Sequence, residues 1–380
     1  MRDVAIIGGA RTPFGRAHKG NLRQTRPEDL GAIAVKAAIE RAGVDPAAIE
    51  DMALGCAMPE GSQGLNVARN IGFLAGLPDE VPAYTVNRFC ASGLQTIANV
   101  ASRVAIGETD LAIAGGVESM TSVPMGGFHP QLHPKLALEY PEAYIAMGTT
   151  AENVARRFEI SRAAQDAFAL SSQQKAVAAR EAGRLAEEIV AVNTAVDGHA
   201  VTVEHDELIR PGTTLEGLGK LRPAFDPKGS VTAGNASPLT DGAAAVVVGT
   251  KESAGDRPIL GYFRRFVVVG VDPAIMGIGP YPAIEKLLAK TGKTVGDIDL
   301  FEINEAFASQ SVYCATQLGV PDEKLNVNGG AIALGHPLGV SGTRLALTAL
   351  YELRRRGGRF AVVSMCIGGG MGAAALLEAA

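Results

Sequence analysis

Two stretches of the chain repeat one another, and this repetition limits the fold more than any compositional figure. Residues 33–55 run as a helical pattern, an Ala42-Gly43 stop, Ile49-Glu50-Asp51 and an apolar strand. Residues 284–302 follow the same plan, with a Thr291-Gly292 stop, Ile298-Asp299-Leu300 and another apolar strand. Further on, Val86-Asn87 precedes Cys90 and a helix, while Val327-Asn328 precedes His336 and a helix. Ile49 to Cys90 is 41 residues and Ile298 to His336 is 38, so the register is kept. Each unit closes on an apolar strand that runs into glycines, 111–116 in one and 360–370 in the other. The pattern predicts an α/β protein of two duplicated halves, two similar units rather than one large sheet.

The rest of the chain is arranged around that pair. Val4-Ala5-Ile6-Ile7-Gly8 reads as a first strand, and the pattern from Pro27 to Ala42 as a helix. The expected units are an N-terminal half over 1–118, to which about 242–258 returns, an inserted segment over 119–241, and a C-terminal half over 259–380. The insertion reads as one amphipathic helix over 151–183 and loop-like chain over 210–241. Long structured loops of this kind serve as lids or binding elements.

Composition narrows the function classes. Hydrophobic residues at 47% and charged residues at 20% exclude a disordered chain. No apolar run approaches the roughly 20 residues of a membrane span. A net charge of -5 without a basic block argues against nucleic-acid or membrane surfaces, so an anionic ligand has to be held locally. Four cysteines without paired short spacings, after a start of Met1-Arg2-Asp3-Val4 that lacks a signal-peptide pattern, argue against a disulfide framework or zinc ribbon. A reducing compartment, the cytoplasm, is expected.

Cys90 lies in Val86-Asn87-Arg88-Phe89-Cys90-Ala91-Ser92-Gly93, between a strand and a helix. A thiol at a helix N-terminus meets unpaired amides and the positive dipole end, which favour thiolate. It reads equally as a nucleophile or as a buried, inert cysteine. Cys56 and Cys314 have no such setting and are expected to be structural. His336, in Gly335-His336-Pro337-Leu338-Gly339-Val340-Ser341-Gly342, occupies the matching junction of the second half, a loop context that suits function. His18, His129, His133, His199 and His205 read as surface or loop residues. Cys366 ends the last apolar strand before Ile367-Gly368-Gly369-Gly370-Met371-Gly372, whose amides suit a developing oxyanion. Gly370-x-Gly372-x-x-Ala375 mimics a dinucleotide fingerprint, but only five residues follow it, too few for a βαβ unit. Asn304-Glu305 falls where strand yields to helix, a place capping alone would explain. A metal site on Cys90, His336 and Cys366 has no recognisable zinc spacing.

Taken together, Asn87-Arg88-Phe89-Cys90-Ala91-Ser92-Gly93, Asn328 through Gly342 with its Gly335-His336-Pro337, and Cys366 through Gly372 resemble the signatures of the thiolase family. Asn304-Glu305-Ala306-Phe307 lies between them, and the resemblance runs from Arg11-Thr12-Pro13 to the end of the chain. It implies the thiolase fold, a layered αβαβα core with an inserted loop domain covering coenzyme A. It implies that Cys90 carries the acyl group as a thioester and that Cys366 moves a proton on the acetyl carbon. His336, and Asn304 through a water, then stabilise the enolate oxygen, and the amides of Cys90 and Gly368 form a second oxyanion site. Ser237 matches a residue near the pantetheine, Met147 in Met147-Gly148-Thr149-Thr150 the loop that covers coenzyme A, Arg210 a contact for the nucleotide end, and Met276 and Phe307 the acyl side of the pocket.

The resemblance also implies acyl-CoA substrates with coenzyme A as co-substrate, no resident cofactor or metal, and a homodimer or homotetramer, alone or within a β-oxidation complex. Ala146 stands where short-chain biosynthetic members commonly have His, and Ser237-Pro238-Leu239-Thr240-Asp241 replaces their Ser-Gly-x-Asn-Asp. Ile209-Arg210-Pro211, Met276-Gly277-Ile278-Gly279-Pro280 and Phe301 through Gln310 look more like the degradative members, which cleave 3-ketoacyl-CoA in fatty acid oxidation. Alternatives are acetoacetyl-CoA formation by the reverse chemistry, a decarboxylating ketoacyl synthase, which would normally lack a second active cysteine, and a non-enzymatic acyl-CoA carrier.

Overall fold

The computed structural model describes residues 2–380. The N-terminal half contains strands β1 (Val4–Arg11), β2 (Gly15–Arg16), β3 (Asp51–Gly55), β4 (Ala83–Val86) and β5 (Leu111–Ser119), with helices α1 (Pro27–Ala42), α2 (Val67–Ala75) and α3 (Ser92–Ile106). The insertion carries α4 (Pro134–Glu139), α5 (Met147–Arg157), α6 (Arg162–Glu181), the hairpin β6 (Val192–Val196) and β7 (His199–Val203), and α7 (Leu215–Gly219). The chain continues with β8 (Thr240–Thr250), α8 (Lys251–Ala254), β9 (Gly261–Gly270), α9 (Pro280–Thr291), β10 (Leu300–Ile303), α10 (Ala308–Leu318), α11 (Ala331–Leu334), α12 (Ser341–Arg356), β11 (Phe360–Ile367) and β12 (Met371–Ala379).

The duplication is visible strand by strand. One side of the sheet runs β4-β3-β5-β8-β1 and the other β10-β11-β12-β9. β3 and β5 are parallel, as are β10 and β11, and antiparallel pairs follow in both halves. The segment corresponding to β4 makes only the parallel bridge Phe301↔Leu325. α1 and α9 stop at the equivalent glycines Gly43 and Gly292, whose left-handed φ of 63° and 64° is the conformation glycine adopts without a Cβ penalty.

Two expectations are corrected. The halves form one continuous sheet, because β1 and β9 abut through Ala5↔Tyr262 and Ile6↔Gly261. Only two residue pairs make the join, too local a feature to read from hydrophobic pattern. The single helix expected over 151–183 is α5 and α6, separated by a turn in which Glu159 takes φ 55° and Ser161 caps α6 through Oγ to the Ala164 amide.

Layering follows from which faces are apolar. α1 and α2 pack on the N-terminal strands and α9 on the C-terminal ones, forming outer layers. α3 and α12 share one core with strands of both halves, through Leu94, Ile97 and Val104 on one helix and Leu345, Leu347 and Leu350 on the other. Their N-termini touch backbone to backbone: a Cβ on Gly93 would lie 2.8 Å from the Gly339 oxygen, and one on Gly342 would lie 2.4 Å from the Leu94 amide. The insertion is pinned by buried charge, with Arg11 donating to Glu188 at 2.8 Å and in two parallel bonds to Asp206 at 2.7 and 2.8 Å.

Gly342→Ala should cost about 1–3 kcal/mol, the usual range for forcing a methyl into a filled core, and appear as a lower urea midpoint. Arg11→Leu should cost about 3–5 kcal/mol by the same measurement, since Glu188 and Asp206 would be left buried without their cation.

Candidate active site

Cys90 sits in a single tight turn, Phe89–Ala91, between β4 and α3. Phe89 has φ 44°, rare for an aromatic residue, and the turn is held by side chains on both sides. Asn87 Oδ1 accepts from the Phe89 amide at 2.8 Å, and its Nδ2 donates to the Ala57 carbonyl at 3.0 Å. Ser92 Oγ accepts from the Arg88 amide at 2.8 Å and donates to the Phe89 carbonyl at 2.7 Å. These four bonds give the Asn87 and Ser92 positions a physical purpose: they aim the thiol out of a bend that the backbone would otherwise avoid.

His336 comes from the opposite half, on the loop between α11 and α12. It is buried, and Nε2 lies 3.2 Å from Asn304 Nδ2. Nδ1 lies 2.6 Å from Ser341 Oγ, which is also 3.0 Å from the Pro337 carbonyl. The single Ser341 proton goes to one of these acceptors, and that choice sets the imidazole tautomer. Thr240 Oγ1 accepts from the His336 amide at 3.1 Å.

Two buried carboxylates fix the loop. Glu118, at the end of β5, accepts from the amides of Ala57 at 2.7 Å, Met58 at 3.2 Å and Gly339 at 2.8 Å, and so joins both halves beside the thiol. Glu305 accepts from Ser172 Oγ at 2.6 Å, Asn326 Nδ2 at 2.9 Å and the Ile332 amide at 3.2 Å, which holds the His336 loop against α6. Sequence reading left Glu118 out and gave Glu305 nothing beyond capping. The usable signal was a carboxylate ending or following an apolar strand, where an exposed charge is not expected.

Cys366 is fully buried near the end of β11 and packs with Met147, Ala151, Val231, Ala236, Met276, Ala306 and Phe307. Met147, Met276 and Phe307 are therefore gathered around the second thiol. Phe225 stands edge-on to Phe307 with ring centroids 6.0 Å apart. Ser237 enters through its backbone, donating to the Ala306 carbonyl at 2.9 Å, and its side chain is half-buried. Gly368 directs its amide at the Cys90 sulfur, which also accepts from its own amide. Arg210 is not gathered with these groups: it is exposed, its amide donates to Gln173 Oε1 at 2.8 Å, and its charge lies near Arg16.

Burial governs the electrostatics. The Cys90 thiol is pushed up to about 11, because desolvation outweighs the amides of Gly368 and Cys90 and Glu118 adds to it. The expectation that the helix N-terminus would lower it is thereby reversed in the unliganded protein. Burial and the Arg344 guanidinium hold His336 down to about 3, so the imidazole is neutral. Burial and the nearby Cys90 raise Cys366 well above the usual thiol range. Cys56 and Cys314 are also buried and free, Cys314 being pushed up to about 12 by desolvation. Among the described residues no group of three or more His, Cys, Asp or Glu is arranged to hold a metal ion.

Two buried thiols, a neutral imidazole and inward-facing amides define a site for acyl transfer through sulfur. The chain matches the thiolase N-terminal domain over residues 4–252 and the thiolase C-terminal domain over 257–379, and it belongs to the thiolase family. It is 51% identical over 390 residues to the 3-ketoacyl-CoA thiolase of Bacillus subtilis, covering 100% of both chains. Human mitochondrial 3-ketoacyl-CoA thiolase in complex with CoA superposes with a TM-score of 0.91 at 40% identity, covering 100% of this chain and 98% of that one. Bacillus anthracis acetyl-CoA acetyltransferase gives 0.93 at 38%, covering 100% and 99%.

The high thiol pKa makes a direct prediction. Iodoacetamide labelling of the Cys90 peptide, followed by mass spectrometry, should speed up about tenfold per pH unit as far as about pH 10, as the thiolate fraction dictates. A plateau near neutral pH would contradict the burial argument.

Proposed function

We propose that this chain is a 3-ketoacyl-CoA thiolase of fatty acid β-oxidation. It uses free coenzyme A to cleave a 3-ketoacyl-CoA into acetyl-CoA and a chain-shortened acyl-CoA. The observation that carries the reading is the meeting of Cys90 and Cys366, 276 positions apart in the sequence, in one buried site with His336 and Asn304. Relatives named 3-ketoacyl-CoA thiolase at full length support it.

In the first half-reaction the Cys90 sulfur attacks the 3-keto carbon. The bond between the second and third carbons breaks, and its electron pair leaves as the acetyl-CoA enolate. Cys366 gives its proton to the enolate carbon and is restored by the proton that Cys90 has lost, so the half-reaction is balanced. In the second half the thiol of free CoA attacks the thioester on Cys90, and its proton passes to the leaving Cys90 sulfur, so both cysteines end as thiols. Splitting the transfer in this way gives ping-pong kinetics.

His336 acts as a neutral donor to the enolate oxygen. This requires the ring proton on Nε2, so the Asn304 NH2 that faces Nε2 has to give way to substrate while Ser341 turns its hydroxyl proton from the Pro337 carbonyl to Nδ1. Asn304 acts on the same enolate oxygen through a water, and its Oδ1 makes no bond within the protein. The amides of Cys90 and Gly368, which already point at the sulfur, serve the oxyanion formed on the acyl carbon. Met276 and Phe307 line the acyl side, Ser237 lies near the pantetheine, and Met147 belongs to the loop that covers coenzyme A. Arg210, with Arg16 nearby, offers positive charge for the phosphates of the nucleotide end.

The reading includes no resident cofactor or metal, and coenzyme A is a co-substrate. It takes the assembly to be a homodimer or homotetramer, alone or within a β-oxidation complex. No helix among the described residues is long and apolar enough to cross a membrane. Four free cysteines suit a reducing compartment, which favours the cytoplasm.

Cys90→Ala should lower thiolysis by about a thousandfold or more and abolish the acyl adduct seen by mass spectrometry. Undiminished thiolysis would overturn the reading. Substrates of about four to sixteen carbons sample a hydrophobic pocket at about 0.8 kcal/mol per methylene, and kcat/KM should rise with length. Cleavage confined to the four-carbon substrate would assign the chain to acetoacetyl-CoA metabolism instead.

A further inference from the structure

α10 begins Ala308-Ser309-Gln310-Ser311, and Gln310 is fully buried. Its side chain occupies room left by Gly277, where a Cβ would lie 2.7 Å from Gln310 Cβ. One end of the Gln310 amide faces two donors, the Ser311 backbone N–H at 2.7 Å and Ser311 Oγ at 3.0 Å, which makes that end the oxygen. The other end faces the Asn304 carbonyl at 3.1 Å. A carbonyl only accepts, so this end is the NH2. The same end lies 3.4 Å from Cys366 Sγ. One N–H therefore serves the Asn304 carbonyl and the other serves the sulfur.

We propose that Gln310 is a positioning residue for the second thiol, donating an N–H to Cys366 Sγ so that the thiolate is favoured and the S–H proton is left free to point at substrate carbon. The proposal rests on the reading of Cys366 as the proton carrier. A buried thiolate is costly unless donors meet it. The apolar side chains that share its core, Met147 and Ala151 of α5, Val231 and Ala236 of the loop after α7, Met276, and Ala306 and Phe307 before α10, supply none. The titratable groups acting on it are Cys90 and Cys314, two thiols whose ionisation opposes its own. Its own backbone amide and Gln310 are the donors on hand. Because the Gln310 amide also braces the Asn304 carbonyl, it sets the second thiol and the Asn304–His336 pair at a fixed separation.

The test uses Gln310→Met, which keeps the volume and removes the N–H, and Gln310→Glu, which is isosteric and puts an acceptor against the sulfur. Thiolate absorbance is titrated in a Cys90→Ser background, with the Cys90→Ser/Cys366→Ser protein as the blank. Both Gln310 variants should move the Cys366 titration upward by about one pH unit or more, the expected scale for losing a donor to a buried anion. With Cys90 intact, kcat at neutral pH should fall about tenfold and its pH profile should move to the alkaline side by the same interval, with KM for CoA little changed. A Cys366 titration that is unmoved in both variants overturns the proposal, as does a pH-independent loss of kcat, which is what simple structural damage would give. Should Gln310→Met fail to fold, the isosteric Glu variant decides alone. Undiminished thiolysis by Cys366→Ser would instead refute the role of Cys366 itself, whatever Gln310 does.

Discussion

The close approach of two helix N-termini is the constraint on which the site depends. α3 and α12 begin with the equivalent pairs Ser92-Gly93 and Ser341-Gly342, and the absence of side chains at both glycines lets backbone meet backbone. Each helix brings a reactive loop with it, the Cys90 turn from one half and the His336 loop from the other. A duplicated fold thus places two different chemical groups at one pseudo-symmetric junction. Separating the helices by the width of a methyl would move the thiol and the imidazole apart on a scale that matters for reacting atoms.

Buried carboxylates convert that approach into fixed geometry. Glu118 draws on amides of both halves, and Glu305 ties the His336 loop to α6 in the insertion. Neither faces a cation in direct contact; each is satisfied by N–H and O–H donors, the arrangement that makes a buried charge tolerable. The same desolvation sets the resting state of the site. Both thiols are protonated and the imidazole is neutral, so the unliganded protein keeps its protons where the proposed half-reactions need them.

Legibility differed from residue to residue for physical reasons. The repeated helix-stop-strand pattern exposed the duplication, because the periodicity and the stop at Gly43 and Gly292 are local properties. Cys90, His336 and Cys366 were legible because each sits at a strand end or helix start in a distinctive motif. The β1–β9 join was not, since two residue pairs leave no trace in either strand's pattern. The break at Glu159–Ser161 was overlooked because the apolar spacing continues across it into α6. Arg210, matched to the nucleotide end of coenzyme A, is exposed and stands apart from the thiols, with its amide on Gln173 of α6.

The sequence by itself determined the α/β duplication and the family and singled out the side chains proposed as reactive, all of which depend on residue type and near neighbours. Only the tertiary structure decided their protonation and their partners. The helix start beside Cys90 argues for a thiolate, but burial by distant segments reverses the sign. Gln310 and Cys366 stand 3.4 Å apart although 56 residues separate them. A pKa or a hydrogen bond of this kind belongs to the space that several segments enclose, and no one of those segments carries it alone.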